Sequence, residues 1–247
     1  NQTKNNKLFL GIIKFLFSKA NLFLCQGPTW YKYAIDNLKI DKSRVDTIPN
    51  WTATEDLTQI GKKRLITDKT PLEILFIGWL EKEKGIIELL QSFHNLQKKH
   101  QIKIKFIGDG TLKSKIQLYS IEHNLKNYIT TTGWLNDDQI ILHLKSADIF
   151  ILPSWQEGMP NSLIESLASG LPSICSRVGV IPDFIKSDYN GLLVEPKNQV
   201  HLENALEKTI KNIELRKKLS KNAFLLAEKK FSSRTNLKKL VRLIETI

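Results

Sequence analysis

Short apolar runs alternate with longer segments of helical period between residues 72 and 196. Runs such as LEILFIG, IKIKFIG and DIFILPS end close to glycine or proline and predict buried strands. The segments between them, such as GIIELLQSFHNLQKK and NDDQIILHLKSA, repeat apolar residues at the spacing of an amphipathic helix. Nearly continuous apolar strands joined by helices are typical of a parallel sheet covered on both faces. The pattern therefore predicts an α/β fold built on a parallel sheet.

The residues on either side of this alternation predict smaller units. Before residue 50, NLFLCQG and VDTIPN predict two strands, with a helix, PTWYKYAIDNLKI, between them. Residues 51–70 are polar and weakly patterned, which indicates a linker or a loop-rich connection. Residues 201–247 carry Leu and Ile at helical spacing among many lysines, and they predict two or three helices packed on one side. We therefore divide the chain into residues 1–50, 51–70, 71–200 and 201–247.

The segment Lys4–Ala20 contains an apolar stretch, Leu8–Phe17, which Lys14 interrupts. This stretch is too short to span a bilayer. A buried amphipathic helix is the favoured interpretation. The alternatives are a signal peptide that ends at the tripeptide SKA and a helix that lies on an anionic membrane.

The chain is basic and contains only two cysteines. Among its 247 residues, 37 Lys and Arg against 25 Asp and Glu give a formal net charge of +12. This excess suggests an anionic partner, namely nucleic acid, an acidic membrane or a phosphorylated small molecule, with a solvated lysine-rich surface as the alternative. Cys25 and Cys175 are far apart in the sequence, so neither a disulfide framework nor a zinc site is indicated.

Several predicted strands end in residues that suit a ligand. Parallel sheets of this kind bind ligands beyond the carboxyl ends of their strands. In FIGWLEKEKGI, Gly78 follows a strand and Lys84 precedes a helix, where a lysine can reach a phosphate. In TGWL, a nucleobase could rest against Gly133 and Trp134. The alternatives are an ordinary surface charge at Lys84 and core packing of Trp134.

The stretch SWQEGMPNSLIESLASG carries the strongest local signal. It predicts a helix that begins near Asn161 and ends at Gly170, with Glu157 before the helix and Glu165 within it. The unpaired N–H groups of a helix N-terminus could hold a diphosphate, and carboxylates on either side could accept hydrogen bonds from hydroxyls. The alternative is that both glutamates only complement the helix dipole.

The segment PSWQEGMPNSLIESLASGLPSI resembles the E-x7-E segment of retaining GT-B glycosyltransferases of family 4, the group 1 family. Six further segments occur along the chain in the order of that family and at similar spacing. They are FIGWLEKEKGI, FIGDGTL, TGWL, ADIFILPS, VGVIPDFI and NGLLVEP. The resemblance implies that residues 71–200 form a Rossmann-like, nucleotide-sugar-binding domain, the C-terminal half of a GT-B fold. It also implies that residues 1–50 are the last elements of an N-terminal acceptor domain, most of which is absent.

The resemblance also implies residue roles. Glu157 would contact donor-sugar hydroxyls and Glu165 the ribose, while Lys84 would contact the diphosphate; Glu157 and Lys84 are the candidate catalytic residues. The other candidate donor-binding residues, which act mainly through their backbone, are Gly78, Gly133, Trp134, Gly158, Met159, Pro160, Asn161, Ser162 and Leu163. One departure from the family is Trp79, which stands where an arginine is usual; Lys82 could substitute for that arginine only if it turns inward.

The expected reaction is transfer of a sugar, with retention, from a UDP-, GDP- or ADP-sugar to a hydroxyl of a glycan or glycolipid acceptor. The sequence contains no Asp-x-Asp, so we expect neither a metal nor another cofactor, and we expect no nucleic-acid partner. We expect a cytoplasmic location, with contact at the inner face of the membrane as an option, and little turnover by this chain alone. The alternatives are a noncatalytic nucleotide-sugar-binding or interaction module, a nucleic-acid-binding basic protein and a sugar-nucleotide epimerase.

Overall fold

The computed structural model describes residues 11–17 and 19–245. Near the N-terminus, the parallel strands β1 (Phe23–Cys25) and β2 (Val45–Thr47) pair on either side of helix α1 (Pro28–Asp36). Cys25, Ala34 and Val45 contribute to a small core that is separate from the main one. The two strands and the helix predicted before residue 50 are therefore present.

A larger parallel sheet forms the centre of the molecule. Its strands are β3 (Leu72–Ile77), β4 (Ile102–Ile107), β5 (Ile129–Thr131), β6 (Ile149–Leu152), β7 (Ser173–Ser176) and β8 (Leu192–Val194). Over the described residues, the strand order is β5-β4-β3-β6-β7-β8, and each neighbouring pair is parallel. This is the strand order of a doubly wound, Rossmann-like sheet. The predicted fold class is confirmed.

Helices cover the sheet on both faces. They are α2 (Glu55–Lys63), α3 (Ile86–Gln97), α4 (Lys113–Glu122), α5 (Asp137–Ser146), α6 (Asn161–Ala168), α7 (Ile181–Phe184), α8 (Gln199–Lys211), α9 (Ile213–Lys230) and α10 (Ser233–Ile244). Apolar side chains of α2 to α9 join the strands in one continuous core. The Asn136 side chain caps α5, as the sequence predicts, and Gln139 completes a capping box.

Strand β5 is shorter than the predicted run of residues 128–135. The chain turns at Gly133, where φ is +79°, and Gly108 donates its N–H to the Gly133 carbonyl at 2.9 Å. A residue with a side chain rarely adopts this backbone conformation, so glycine ends the strand here. Trp134 consequently lies in a loop rather than in the sheet.

The segment interpreted as a linker contains helix α2. Thr54 caps this helix, and Leu57 is buried in the main core. Arg64, directly after it, donates hydrogen bonds to the carbonyls of Leu144, Ala147 and Ser169. These carbonyls lie at the ends of α5 and α6, so residues 51–70 are part of the folded domain rather than a loose connection.

The C-terminal residues form three helices within the described range, as expected, but these helices do more than cover one side. Lys239 of α10 donates to Asp46 Oδ1 at 2.7 Å and to the Thr47 carbonyl at 2.8 Å, both on β2. Ala53 also pairs with Ser232 in an isolated parallel bridge. Helix α10 therefore connects the larger sheet domain to the small N-terminal unit.

Residues 11–17 are helical and only partly buried. Ile13 and Phe17 pack on the small core, whereas the side chains of Ile12, Phe15 and Leu16 are exposed. The buried helix expected from the sequence is thus buried on one face, and residues 4–10 and 18 of that prediction lie outside the described residues. Within the part of the chain that the structure describes, no helix is long and apolar enough to cross a bilayer. Membrane contact and a cytoplasmic location remain predictions.

Candidate functional site

The candidate site lies where the strand order of the larger sheet reverses. The chain runs from β3 to β4 and β5 on one side, and β6 returns to the other side of β3. A crevice forms at such a point beyond the carboxyl ends of the strands. Gly78 follows β3 directly and Ser154 follows β6 closely, so the segments that carry Lys84 and Glu157 both start at this crevice.

Lys84 and Glu157 form an ion pair in the crevice. Lys84 ends a short 3₁₀ turn, Lys82–Lys84, and Gly85, with φ of +68°, leads into α3. Lys84 Nζ lies 2.6 Å from Glu157 Oε1, and only 9% of the Glu157 side chain is exposed. A cation and a hydrogen-bond acceptor therefore lie side by side in a largely buried position.

The loop that carries Glu157 is fixed by groups distant in sequence. Asn50 Nδ2 donates to the Met159 carbonyl at 2.8 Å and to Asn161 Oδ1 at 2.9 Å. Asn50 Oδ1 in turn accepts from Gln26 Nε2 at 2.9 Å. On the opposite side, a Cβ at Gly179, where φ is +57°, would overlap the Glu157 carbonyl. The small N-terminal unit thus helps to position the loop.

Helix α6 begins directly after this loop. Its N-cap residue is Pro160, and no side chain within residues 11–17 or 19–245 caps it. The N–H groups of a first helical turn have no partner inside the helix and carry partial positive charge. The backbone of Asn161, Ser162 and Leu163 is therefore suited to phosphate oxygens, and Lys84 lies close to the same loop.

Glu165 lies one turn further along α6 and faces another cavity. This cavity has a volume of about 360 Å³ and is lined by Trp51, Thr52, Thr54, Leu57, Asp137, Ile140, Ile141, Leu144 and Glu165. Burial raises the pKa of Glu165 to about 7, and the nearby carboxyl of Asp137 adds to the effect. No hydrogen-bond donor or cation among the described residues contacts the Glu165 carboxylate. Its lone pairs are therefore available to the hydroxyls of a ligand.

Two tryptophans meet at the ends of β3 and β5. The rings of Trp79 and Trp134 are in an edge-on contact, with centroids 4.9 Å apart and an interplanar angle of 80°. Both side chains are about half exposed. The alternative that Trp134 packs in the core is therefore wrong. Trp79 places an aromatic ring where the family pattern has an arginine.

A wider, open cleft lies on the other side of Glu157. It has a volume of about 700 Å³ and is lined by Trp30, Trp155, Gln156, Glu157, Gly158, Val178 and Gly179. Trp30 belongs to α1, so this cleft separates the small unit from the larger sheet domain. Lys82 turns toward the cleft wall, with its Nζ 5.6 Å from the centre of the Trp155 ring.

The structure brings some of the predicted site residues together and separates others. Lys84, Glu157 and the start of α6 meet at one crevice, whereas Glu165 lines a different cavity from Glu157. Met159 is buried, so only its backbone could contact a ligand. No side chains that could hold a metal ion are grouped together within the described ranges.

Gln26 and Asn50 were not among the predicted site residues. The Pro-Asn turn that ends the segment VDTIPN was the available signal for Asn50. The residues that Asn50 contacts, Met159 and Asn161, follow more than a hundred residues later in the chain. No local pattern connects such residues. The roles of individual site residues stay predictions.

Comparison with known proteins agrees with this architecture. The chain is 28% identical over 246 residues to the uncharacterized glycosyltransferase MJ1178 of Methanocaldococcus jannaschii, covering 96% of this chain and 67% of that protein. It is 33% identical over 159 residues to the putative teichuronic acid biosynthesis glycosyltransferase TuaC of Bacillus subtilis, covering 64% of this chain and 38% of that protein.

The fold also matches solved structures. The crystal structure of Anabaena Alr3699/HepE in complex with UDP superposes with a TM-score of 0.79 at 16% identity, over 96% of this chain and 67% of that one. This likeness concerns the fold alone.

The family follows from a match that covers most of the described sheet domain. Residues 59–225 fit the model of the Glycosyl transferases group 1 family, from within α2 to within α9. This range includes the crevice, the Glu157 loop and Glu165. The chain belongs to the group 1 glycosyltransferase family.

Proposed function

We propose that this chain binds a nucleoside-diphosphate sugar and serves in the transfer of that sugar, with retention, to a hydroxyl of a glycan or glycolipid. The observation that carries the proposal is the uncapped start of α6, with the Lys84–Glu157 pair before it and the unpartnered Glu165 carboxylate after it. A diphosphate suits the helix N-terminus and Lys84, while sugar and ribose hydroxyls suit the two glutamates.

The proposed chemistry relies on position and charge. Lys84 and the first N–H groups of α6 stabilise the negative charge that develops on the departing diphosphate. Glu157 holds the sugar hydroxyls, and its ion pair with Lys84 fixes both side chains before the substrate arrives. The Glu157 loop and the start of α6 are rigid supports, because Asn50 bonds to both.

The relatives support the substrate class. TuaC is named as a putative teichuronic acid biosynthesis glycosyltransferase, and Alr3699/HepE was solved with UDP. The chain spans 67% of MJ1178 and 38% of TuaC, so the activity of those whole proteins supports the proposal for this chain without deciding the acceptor. UDP is accordingly the first nucleotide to test.

A thermal-shift titration with UDP, GDP, ADP and their glucose or mannose conjugates tests the proposal. We expect at least one nucleotide to raise the melting temperature of the wild-type chain. Glu165→Ala should lose the shift for the free nucleotide, because the ribose loses its acceptor. Glu157→Ala should keep part of that shift and lose the additional effect of the sugar.

Glu228→Ala is the matched control, since Glu228 is exposed on α9 and distant in sequence from both cavities. Its titrations should equal those of the wild type. Wild-type shifts in both Glu157→Ala and Glu165→Ala would show that the site assignment is wrong. A wild-type chain that no nucleotide stabilises would contradict the proposed function itself.

A further inference from the structure

Trp155 forms one wall of the open cleft, and its indole ring is held in place. Its backbone N–H donates to the Glu83 carbonyl at 2.7 Å. Its ring Nε1 donates to Glu88 Oε1, on α3, at 3.2 Å. Both bonds anchor the ring to the segment that follows Lys82, so the aromatic face keeps a fixed orientation beside Glu157.

Two ammonium groups lie over this ring. Lys197 Nζ is 4.5 Å from the ring centre and Lys82 Nζ is 5.6 Å from it. The face of an indole attracts cations at such distances, so the ring keeps both lysines at the edge of the cleft. They come from separate parts of the chain, one before α3 and one before α8.

Neither ammonium is neutralised by a carboxylate. In the residues that the structure describes, Lys82 and Lys197 take part in no ion pair, whereas Lys84 is paired with Glu157. Two positive charges therefore remain uncompensated beside the position where the donor sugar is proposed to bind. An anionic group that enters the cleft would meet them without first breaking an existing pair.

The backbone of Lys197 provides an independent observation. Its φ is +61°, in the left-handed region that side chains other than those of Asn and Asp rarely adopt. Glycine would be relaxed at this turn between β8 and α8. A lysine is therefore kept at this turn, beside the Trp155 ring, at a cost in backbone strain.

We propose that Lys197 and Lys82, held on Trp155, bind a negatively charged group of a substrate in the cleft beside Glu157. The inference rests on the proposed function and adds the substrate class to it. The recognised chemistry is an anionic oxygen group, either the carboxylate of a uronic acid on the donor or the phosphate of a sugar-phosphate acceptor. In this arrangement Lys84 binds the diphosphate, and Lys82 and Lys197 bind the second anionic group.

Isothermal titration with matched donors tests this inference. UDP-glucose and UDP-glucuronate differ only in the group at C6, and GDP-mannose and GDP-mannuronate form the guanine counterpart. We expect the wild-type chain to bind the uronate of one pair about fivefold more tightly than the neutral sugar, the effect of an exposed charge pair. Lys197→Met and Lys82→Met should reduce this preference, because each should weaken binding of the uronate more than binding of the neutral sugar.

A titration of N-acetylglucosamine 1-phosphate in the presence of saturating nucleotide tests whether the anionic group is the phosphate of the acceptor. If this compound binds and Lys197→Met weakens its binding, while the uronate shows no preference, the anionic group belongs to the acceptor. Equal affinity for charged and neutral donors, together with no lysine-dependent binding of the sugar phosphate, would overturn the inference. If none of the four donors binds and no nucleotide raises the melting temperature in the thermal-shift titration, the proposed function fails as well.

Lys197→Gly separates recognition from a structural role. It should raise the melting temperature, because glycine relaxes the left-handed turn, and yet it should lose the preference for the charged ligand. Lys39→Gly is the matched control, since Lys39 is an exposed lysine with φ of +60° in the small unit. It should also raise the melting temperature but leave the preference intact. A charge preference that survives Lys197→Gly would contradict the assignment.

Discussion

At the scale of single residues, Glu165 combines a proposed role in ligand binding with a cost to stability. Its carboxyl lies in a cavity with apolar walls and beside Asp137, so ionisation is unfavourable and the pKa rises from 4.5 to about 7. A ligand hydroxyl would supply the hydrogen bond that the protein does not provide. The position of Glu165 in α6 therefore favours ligand binding over the stability of the protein without ligand.

The raised pKa makes the effect of Glu165→Gln depend on pH. Below the unfolded pKa, both states hold the proton and Glu165 costs nothing. Between about pH 4.5 and pH 7 the unfolded chain has lost this proton while the folded state still holds it, so the fold loses stability as the pH rises, by roughly 3 kcal/mol in all once the pH passes 7. Glu165→Gln should therefore unfold at a higher temperature than the wild type at pH 8, and at nearly the same temperature at pH 4.5.

Melting curves of both proteins across this pH range provide the measurement, with Glu228→Gln as the exposed control. The difference between Glu165→Gln and the wild type should grow between pH 5 and about pH 7 and then level off, whereas the control should show no such trend. A difference that stays constant over the range would contradict the burial of an ionisable Glu165.

At the scale of secondary-structure elements, Arg64 joins the ends of two helices. Its guanidinium donates to the carbonyls of Leu144, Ala147 and Ser169, at the C-terminal ends of α5 and α6. Burial lowers the pKa of Arg64 to about 10, and the nearby charge of Asp148 opposes that shift. Arg64 therefore remains charged at neutral pH, where it complements the negative ends of both helix dipoles.

Arg64→Met should destabilise the fold by about 2–4 kcal/mol, because buried carbonyls lose their donors while the space stays filled. Urea unfolding followed by circular dichroism gives the midpoint and the slope. Lys63→Met is the matched control, since Lys63 is the neighbouring exposed cation on α2. Equal midpoints for the two variants would show that Arg64 does not hold the helix ends.

Sequence and structure agree best for elements with a strong internal pattern. Strands β3 and β6 of the larger sheet are largely buried on both faces, and their apolar runs predict them directly. Helix α2 has no such pattern, because Leu57 is its one fully buried residue in the described range Glu55–Lys63. Its place is set by tertiary contacts such as those of Arg64, which no local spacing reveals.

The residues of the candidate site also differ in how far the sequence predicts them. Lys84, Glu157 and Glu165 lie at strand ends and in a helix start, where parallel-sheet geometry makes them visible in the sequence. Asn50 and Lys197 contribute through contacts with residues far away in the chain. Such contacts depend on the folded arrangement, so sequence patterns could not predict them.

At the scale of the whole molecule, the small N-terminal unit is fastened to the sheet domain at several points. Asp183 accepts hydrogen bonds from Thr29 at the start of α1, and Lys239 of α10 contacts Asp46 on β2. Asn50 provides a further point, and that one lies directly on the Glu157 loop. A displacement of the small unit would therefore also displace the Glu157 loop.

Asn50→Ala should loosen this loop without unfolding the domain. The variant loses the bonds to the Met159 carbonyl, Asn161 Oδ1 and Gln26 Nε2. Hydrogen exchange of a peptide covering residues 155–163 should become faster, while exchange of the β3 peptide stays unchanged. Asn37→Ala, at an exposed asparagine after α1, is the control. Unchanged exchange in the loop would show that Asn50 does not restrain it.

The distribution of tryptophans has a practical consequence. The sequence contains five, of which Trp30 and Trp155 line the open cleft and Trp51 lines the cavity of Glu165. The remaining two, Trp79 and Trp134, meet edge to edge at the strand ends. Three of the five indoles therefore line one of the two cavities, so the intrinsic fluorescence of the unlabelled protein should change when a ligand occupies either of them.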